Sequence, residues 1–508
     1  MKINKLIDRF ISLVERGGNA LPHPAALFGL FALFTLVLSF FGHLLGWHGV
    51  NPANGEIVSV ENLLSVNGLH RILLDLVDNY TGFAPLGIVM VAMLGIGVAE
   101  SSGLIKAAIN ALLLRAPKKS TTFIIVLAGI LSNIASDLGY ILIIPLAGVI
   151  FHTLGRHPVA GMSAAFAGVS GGFSANLFIG TIDPLLAGLS TEAAHIIDSE
   201  YYVMPTGNYY FMAVSTFLIT IAGTWITHVW VEPRLGKYTG DVEVEPISRL
   251  LPKEKKGLKW VLFLFAIWTT IFLVGIIPNQ GFLRGDDNSI LHSPLLKGFI
   301  SVLFIVAASA GVLYGYIAGS FKKHDDVING MNTSFKGLIS FLVLVFFAAQ
   351  FVAWFKWSNL GLILAIKGAH ILQSIDIGLI PLVILFIIFS GFINLFMGSA
   401  SAKWAIMGPV FIPMFMLLGY SPELSQAVFR IGDSITNVIS PMMSFFALII
   451  VYYQKYDSKS GIGTLIATMF PYSFVFFIVW SLLLILWIIL GLPLGPEAGI
   501  YYNNSHLN

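Results

Sequence analysis

At 508 residues, 56% hydrophobic and 11% charged, with a mean hydropathy of +0.85, the chain carries too little polar sequence to cover a water-soluble globule of its size. It reads instead as an all-α integral membrane protein of about nine transmembrane helices plus two re-entrant hairpins. The absence of cysteine excludes disulfides, thiolate metal sites and cysteine nucleophiles, and the net charge of +2 says less than the placement of the charges.

Residues 1–80 open with MKINKLIDRFISLVERGGNALPHP, whose basic start lacks the compact apolar core and small-residue cleavage site of a signal peptide. It is expected to lie as an amphipathic cytoplasmic helix. A first span at 25–47 leads into a polar loop in which Asn-Pro and Asn-Gly pairs mark turns. Residues 81–232 form a first repeat. Its span at 83–98 precedes an apolar stretch interrupted by SNIASD, longer than one span and shorter than two with a loop. A re-entrant hairpin at 120–154, with its tip at 132–137, fits that length. A broken helix at 161–186 follows, interrupted at GGFSAN, where two glycines and Ser-Ala-Asn lower helix propensity, and again at TIDP. A span at 208–230 closes the repeat. Residues 233–334 hold a charged, proline-punctuated cytoplasmic linker and scaffold spans at 258–277 and 299–319. The second repeat, 335–454, has a span at 337–357, a hairpin at 377–418 with its tip near 397–401, and a broken helix at 424–452. Residues 455–508 supply a last span at 465–492 and the C-terminus.

The two copies share one register. Sliding one by 264 positions puts Asp137 on Ser401, Tyr140 on Trp404, Pro145 on Pro409, Gly155 on Gly419, Pro158 on Pro422, Gly168 on Gly432 and Ser170 on Ser434. Turn residues, aromatics and intramembrane polar groups recurring at one offset indicate duplication. With the N-terminus inside, cytoplasmic segments hold 21 of the 28 Lys and Arg residues, external segments five, and the membrane two, Lys403 and Arg430. That orientation sends the first hairpin in from the cytoplasm and the second from outside. The repeats are therefore inverted, and the C-terminus is external.

In an inverted pair the tips and breaks meet near the midplane, where helix N-termini attract anions and unwound carbonyls attract cations. Arg430 cannot shed its charge and has a fork suited to a carboxylate. Asp433 lies three positions on, on the same helical face; the two read either as an internal pair or as substrate and coupling groups. Asp183, Asp137 and Asp433 are each placed to carry a proton or help ligate sodium. Asp183, before Pro184, and Asp137, at a hairpin tip, read equally as helix caps. Lys403 reads as a side chain snorkelling to the external surface or as part of the site. Asn133, Asn176, Asn394 and Asn437 sit at the polar breaks, there either for a ligand or to satisfy freed backbone. Trp404 is placed to stack on an aromatic ligand or simply to pack, and Pro441 to fix a helix break. The 12 histidines show no HExxH spacing, no phosphate loop is present, and the serine-rich tips lack a positioned histidine, so no enzyme is expected.

The blocks NLLSVNGLH, GFAPLG, GRHPVAG, TIDPLLAGLSTEAA, VEPRLG, SPLLKGF, FKWSNLG, SASAKWAIMGPVFIPMFMLLGY and FRIGDSITNVISPMM, in that order, resemble the p-aminobenzoyl-glutamate transporter (AbgT) family along nearly the whole chain. The resemblance implies a homodimer in the inner (plasma) membrane, each protomer with nine spans and two hairpins. It also implies secondary transport of p-aminobenzoyl-glutamate, with efflux of sulfonamides in some members. The family's functional acid falls on Asp183, its hairpin serine and tryptophan on Ser401 and Trp404, and the Arg, Asp and Pro of its last broken helix on Arg430, Asp433 and Pro441. Residues and resemblance together give a substrate set of Arg430, Trp404, Ser401, Asp183, Pro441, Asn176 and Asn394. The coupling-ion set is Asp433, Asn437, Asp137, Asn133 and Ser399. The cargo is a small anion and the coupling ion sodium or a proton. Sodium is the one metal expected, with neither cofactor nor nucleic acid. A sodium-coupled dicarboxylate carrier is the second reading, and a membrane-embedded hydrolase or channel a remote third.

Overall fold

The computed structural model describes residues 22–50, 55–114, 117–134, 139–240, 242, 250–285, 288 and 293–502. The expected N-terminal amphipathic helix and Asp137 lie outside the described residues. Among the described residues the fold is helical apart from one small antiparallel pair of strands, in which His48–Val50 pairs with Ile57–Ser59. The first helices are α1 (Pro24–Leu44), α2 (Val66–Thr81), α3 (Ala84–Ser101) and α4 (Leu104–Leu114). The first repeat continues with α5 (Thr121–Leu131), α6 (Ile144–Thr153), α7 (Pro158–Phe166), α8 (Ile182–Ala194) and α9 (Tyr209–Ile226). Then come α10 (Pro252–Ile276), α11 (Phe299–Ala318), α12 (His324–Trp357) and α13 (Leu360–Ser374). The second repeat and the end of the chain supply α14 (Leu379–Asn394), α15 (Ala400–Leu417), α16 (Pro422–Asn437), α17 (Phe446–Gln454) and α18 (Ile462–Ile489).

Eight helical stretches among the described residues are long and apolar enough to cross a membrane. Seven of the nine expected spans are among them. The two broken helices are too short in each piece to qualify, and the hairpin arm α15 does qualify. Three helices were not anticipated: α4, of only 11 residues, lies between an expected span and the first hairpin. The charges of VNGLHRILLDLVDNYT hide α2 among loop residues, and α13 is only 15 residues long with a lysine and a histidine inside it.

The repeats enter their broken helices identically. Gly155 and Gly419, 264 positions apart, both take positive φ (70° and 85°) and end the preceding hairpin arm. Pro158 and Pro422 then occupy the first turn of α7 and α16, where a missing N–H costs nothing. His157 Nδ1 accepts from Val159 N (3.3 Å), and Ser421 Oγ accepts from Leu424 N (3.2 Å), capping each helix. A second matched pair governs packing. A Cβ on Gly168 would lie 2.3 Å from Val126 O on α5, and one on Gly432 2.4 Å from Ile387 O on α14. Each broken helix thus lies against the first arm of its own hairpin at a distance only glycine permits.

The helices then stop. After α7 comes a π-helical turn, Ala167–Gly171, and the backbone stays non-helical until α8 begins at Ile182; α16 likewise ends at Asn437, and α17 begins at Phe446. Where the ends lie establishes the inversion. The start of α7 sits beside Tyr453, which meets Ser163 (2.6 Å), and beside Glu232, which accepts from Arg156 Nε (2.8 Å) and Nη2 (2.7 Å). The start of α16 sits beside Asn208, which donates to Glu423 O (2.9 Å), and Gly499, whose carbonyl accepts from Ser421 Oγ (2.6 Å). The far ends meet: Ser174 N donates to Ser434 Oγ (3.1 Å), and Tyr140 stacks on Phe445 at 4.6 Å. The two broken helices approach one centre from opposite sides. Around this core α1, α3, α10, α11 and α12 pack on one another as a scaffold, and the exposed leucines and phenylalanines of α1 and α10 supply the lipid-facing surface.

Candidate functional site

The site is built on α16. Glu423, Gln426, Arg430, Asp433 and Asn437 recur every three or four residues, a polar stripe on one helical face, and all five are buried. A stripe of that kind facing lipid would be prohibitively costly, so it points into protein and must find partners there.

Those partners come from three other helices and from the segment between α8 and α9, and they decide between the two readings of Arg430 with Asp433. Arg430 does not pair with Asp433. Its Nη2 lies 2.7 Å from Oδ1 of Asp183 on α8, a contact between the two repeats. Both side chains are almost fully buried, and Asp183 Oδ2 also accepts from Gly180 N (2.7 Å) at the head of α8. One carboxylate thus holds both the backbone at the head of α8 and the guanidinium of Arg430, a pairing the sequence did not suggest. Nε and Nη1 of Arg430 have no hydrogen-bond partner among the described residues. Asp433 pairs with Lys403 on α15, which is 0% exposed and does not snorkel. Lys403 Nζ also donates to Asn394 Oδ1, and Asn437 Nδ2 donates to Asp433 Oδ2 (3.3 Å).

Trp404 is completely buried, stacked on Phe429 (centroids 4.5 Å apart, 27° between planes), and its indole N–H donates to Ser190 Oγ on α8 (2.8 Å). Such a stack contributes about 0.5–1.5 kcal/mol beyond its area. Ser190 continues a polar line that the sequence reading missed. Its hydroxyl donates to Gln426 Oε1 (2.7 Å), Gln426 Nε2 to Asn208 Oδ1 (2.8 Å), and Tyr201 OH to Glu423 Oε2 (2.8 Å). The spacing of Glu423 and Gln426 with Arg430 on α16 was the signal that could have found it.

The first-repeat asparagines serve the unwound backbone. Asn133 Nδ2 donates to Ile130 O and Val169 O (both 3.1 Å), and Asn176 Nδ2 donates to the same Ile130 carbonyl (3.3 Å). Pro441 stands half-buried in the turn between α16 and α17, against which the second hairpin tip packs: a Cβ on Gly398 would lie 2.2 Å from Met442 O. Ser399 caps α15 by accepting from Ala402 N (3.3 Å), with Ser401 Oγ 3.3 Å away. Ser401 lines a cavity of about 450 Å³, together with Thr181, Ile182 and Leu185 from α8 and its approach, Val89, Gly97 and Glu100 from α3, and Ser334 and Phe341 from α12. That is within the size range of small-molecule sites. The cavity separates the scaffold from the repeat core, and its core wall adjoins Asp183. Among the described residues no group of three or more His, Cys, Asp or Glu could hold a metal ion.

Comparison with known proteins agrees with this architecture. Residues 9–502 match the family described as the AbgT putative transporter family. The p-aminobenzoyl-glutamate transport protein of Escherichia coli (strain K12) is 37% identical over 489 residues, 96% of each chain. The crystal structure of the Alcanivorax borkumensis YdaH transporter, described as having an unusual topology, superposes with a TM-score of 0.89 at 46% identity, over 94% of this chain and 100% of that one. The structure of Neisseria gonorrhoeae MtrF, from a class of antimetabolite efflux pumps, gives 0.90 at 47% identity, over 96% and 99%. This chain is a multi-pass membrane protein and belongs to the AbgT putative transporter family.

Proposed function

We propose that this chain is an ion-coupled secondary transporter of p-aminobenzoyl-glutamate and of related aminobenzoyl compounds, sulfonamides among them. The observation that carries the reading is Arg430: a buried guanidinium bound to the other repeat through Asp183, with two further donor nitrogens unspent among the described residues. Buried donors of that kind are costly unless a ligand completes them, and a planar fork is matched by a carboxylate. The cargo brings two carboxylates and one aromatic ring. Ser401 and the head of α8 line the cavity, where Ile182 is the chain neighbour of the aspartate that holds that arginine.

Movement of the repeat core against the scaffold, across the intervening cavity, exposes the site to either side of the bilayer in turn. Asp433, Asn437, Asn133, Ser399 and Asp137 are the coupling set. The transporter works as a homodimer in the plasma membrane, its N-terminus cytoplasmic and its C-terminus external, the orientation that keeps Lys- and Arg-rich segments inside. In that orientation the cavity, which runs from Ser401 to Glu100, reaches toward the cytoplasm.

Proteoliposomes carrying the purified chain should accumulate labelled p-aminobenzoyl-glutamate saturably, and sodium and proton gradients imposed in turn identify the driving ion and the net direction. Uptake that persists unchanged in Arg430→Ala and Asp183→Ala variants would remove the site. The same arginine also suits a plain dicarboxylate. Competition by succinate as strong as that by the aminobenzoyl compound would favour a sodium-coupled dicarboxylate carrier instead.

A further inference from the structure

The second ion pair differs from the first in how its cation is held. Lys403 Nζ donates to one carboxylate oxygen, Asp433 Oδ1, and to one amide oxygen, Asn394 Oδ1. The amide cannot turn away, because Asn394 Nδ2 is fixed by Asp433 O (2.8 Å), Thr436 Oγ1 (2.9 Å) and Asn437 Oδ1 (2.8 Å). The three acceptors on its nitrogen settle which end of the amide faces the ammonium. Asn394 O is itself held by Ser440 Oγ (3.0 Å), so the helix end carrying Asn394 is tied to the break in the second repeat. Lys403, Asn394 and Asp433 are each no more than 1% exposed.

A carboxylate oxygen and an oriented amide oxygen converging on one point is the donor chemistry of a small hard cation. Here a side-chain ammonium fills the point. The lysine reaches it from the first turn of α15, two residues beyond Ser401 at the cavity wall.

We propose that Asn394 and Asp433 form a monovalent-cation site whose resident cation is the tethered Lys403 ammonium, so that sodium is excluded from it while the lysine is in place. The proposal rests on the transport reading only in taking this site as part of the coupling set. It assigns Lys403 to the machinery and turns the sodium expected at Asp433 and Asn437 into a competitor for an occupied position. Removing the ammonium while keeping the side chain's bulk should create a sodium site.

The test is thermal unfolding of the purified full chain in detergent, with sodium chloride exchanged for choline chloride at constant ionic strength. The wild type should show no greater sodium dependence than the Lys403→Met/Asp433→Asn double variant. Lys403→Met should gain a saturable, sodium-specific rise of roughly 2 °C or more, because a ligand that binds only the folded state stabilises it by mass action. In Lys403→Met/Asp433→Asn, where no carboxylate awaits a cation, the rise should vanish. A wild type that shows the same sodium shift as Lys403→Met, or a folded Lys403→Met that shows none, overturns the proposal. If Lys403→Met folds only in sodium, the proposal stands. If it folds in neither salt while the double variant folds in both, sodium cannot replace the ammonium and the proposal falls. The readout is stability and not flux, so its failure leaves the carrier reading intact. Wild-type proteoliposomes that never take up p-aminobenzoyl-glutamate would instead sink that reading and spare this one.

Discussion

At the scale of single residues, each buried charge at the repeat crossing is tied to a partner on another helix, and breaking one side should cost more than removing both. Arg430→Ala leaves Asp183 buried without its cation, an arrangement that destabilises by roughly 3–5 kcal/mol. The Arg430→Ala/Asp183→Ala double variant is expected to unfold at a higher temperature than either single variant, while uptake stays lost in all three. Arg430→Lys keeps the charge but not the fork, and should raise KM for uptake about tenfold or more. Trp404 and Ser190 give a finer test. Trp404→Phe keeps the stack on Phe429 and loses the indole hydrogen bond, and Ser190→Ala loses the same bond from its other end together with its own bond to Gln426. Each should cost about 1 kcal/mol, and the pair less than the sum, in a double-mutant cycle read by unfolding. The sequence named Arg430, Asp433 and Asp183, and of its two readings of Arg430 with Asp433 the structure excludes the internal pair. Residues three apart on a helix are neighbours by geometry, whereas the partner actually used arrives from a helix more than two hundred residues away.

At the scale of elements, the matched glycines separate two costs that are usually entangled. A Cβ on Gly155 or Gly419 meets nothing within 4 Å, so alanine there pays only for the left-handed backbone, about 1–2 kcal/mol, and by the same amount in each repeat. Alanine at Gly168 or Gly432 would drive a methyl into the carbonyl of a neighbouring helix. Both of those variants should lose far more stability, and uptake with it. Capping adds a pH signature. Burial holds His157, in the turn between α6 and α7, below its ordinary 6.5, against the opposing pull of Asp457 and Glu232. The folded state therefore keeps the ring neutral and the unfolded chain protonates first. The stability this provides is complete above about pH 6.5 and lost as pH falls below it. His157→Asn, which retains a cap acceptor, should flatten the acid side of the unfolding profile. These turns were legible in the sequence because glycine and proline act locally, at a fixed offset. The helix α2 was not, because its apolar residues are interleaved with charges and read as loop.

At the scale of the molecule, inversion could be read from charge placement alone, since lysine and arginine counts do not depend on any contact. The unbroken spans were legible by length. What stayed hidden was the buried line from Tyr201 to Trp404, because its members are individually ordinary polar residues drawn from segments that meet only after folding. The lack of native cysteine makes the proposed cavity directly testable. Ser401→Cys and Thr181→Cys should react with a membrane-impermeant maleimide applied from the cytoplasmic face, and more slowly once p-aminobenzoyl-glutamate is added.

Among the described residues, the two cross-helix pairs, Arg430 with Asp183 and Lys403 with Asp433, sum to zero. Shuttled with both pairs closed, these four residues carry no net charge through the transmembrane field and add nothing to the current of cargo and accompanying ions. A dianion escorted by two monovalent cations would cross without electrical trace, and one escorted by three would be driven by voltage. Capacitive currents recorded on a supported bilayer would count the escorts directly.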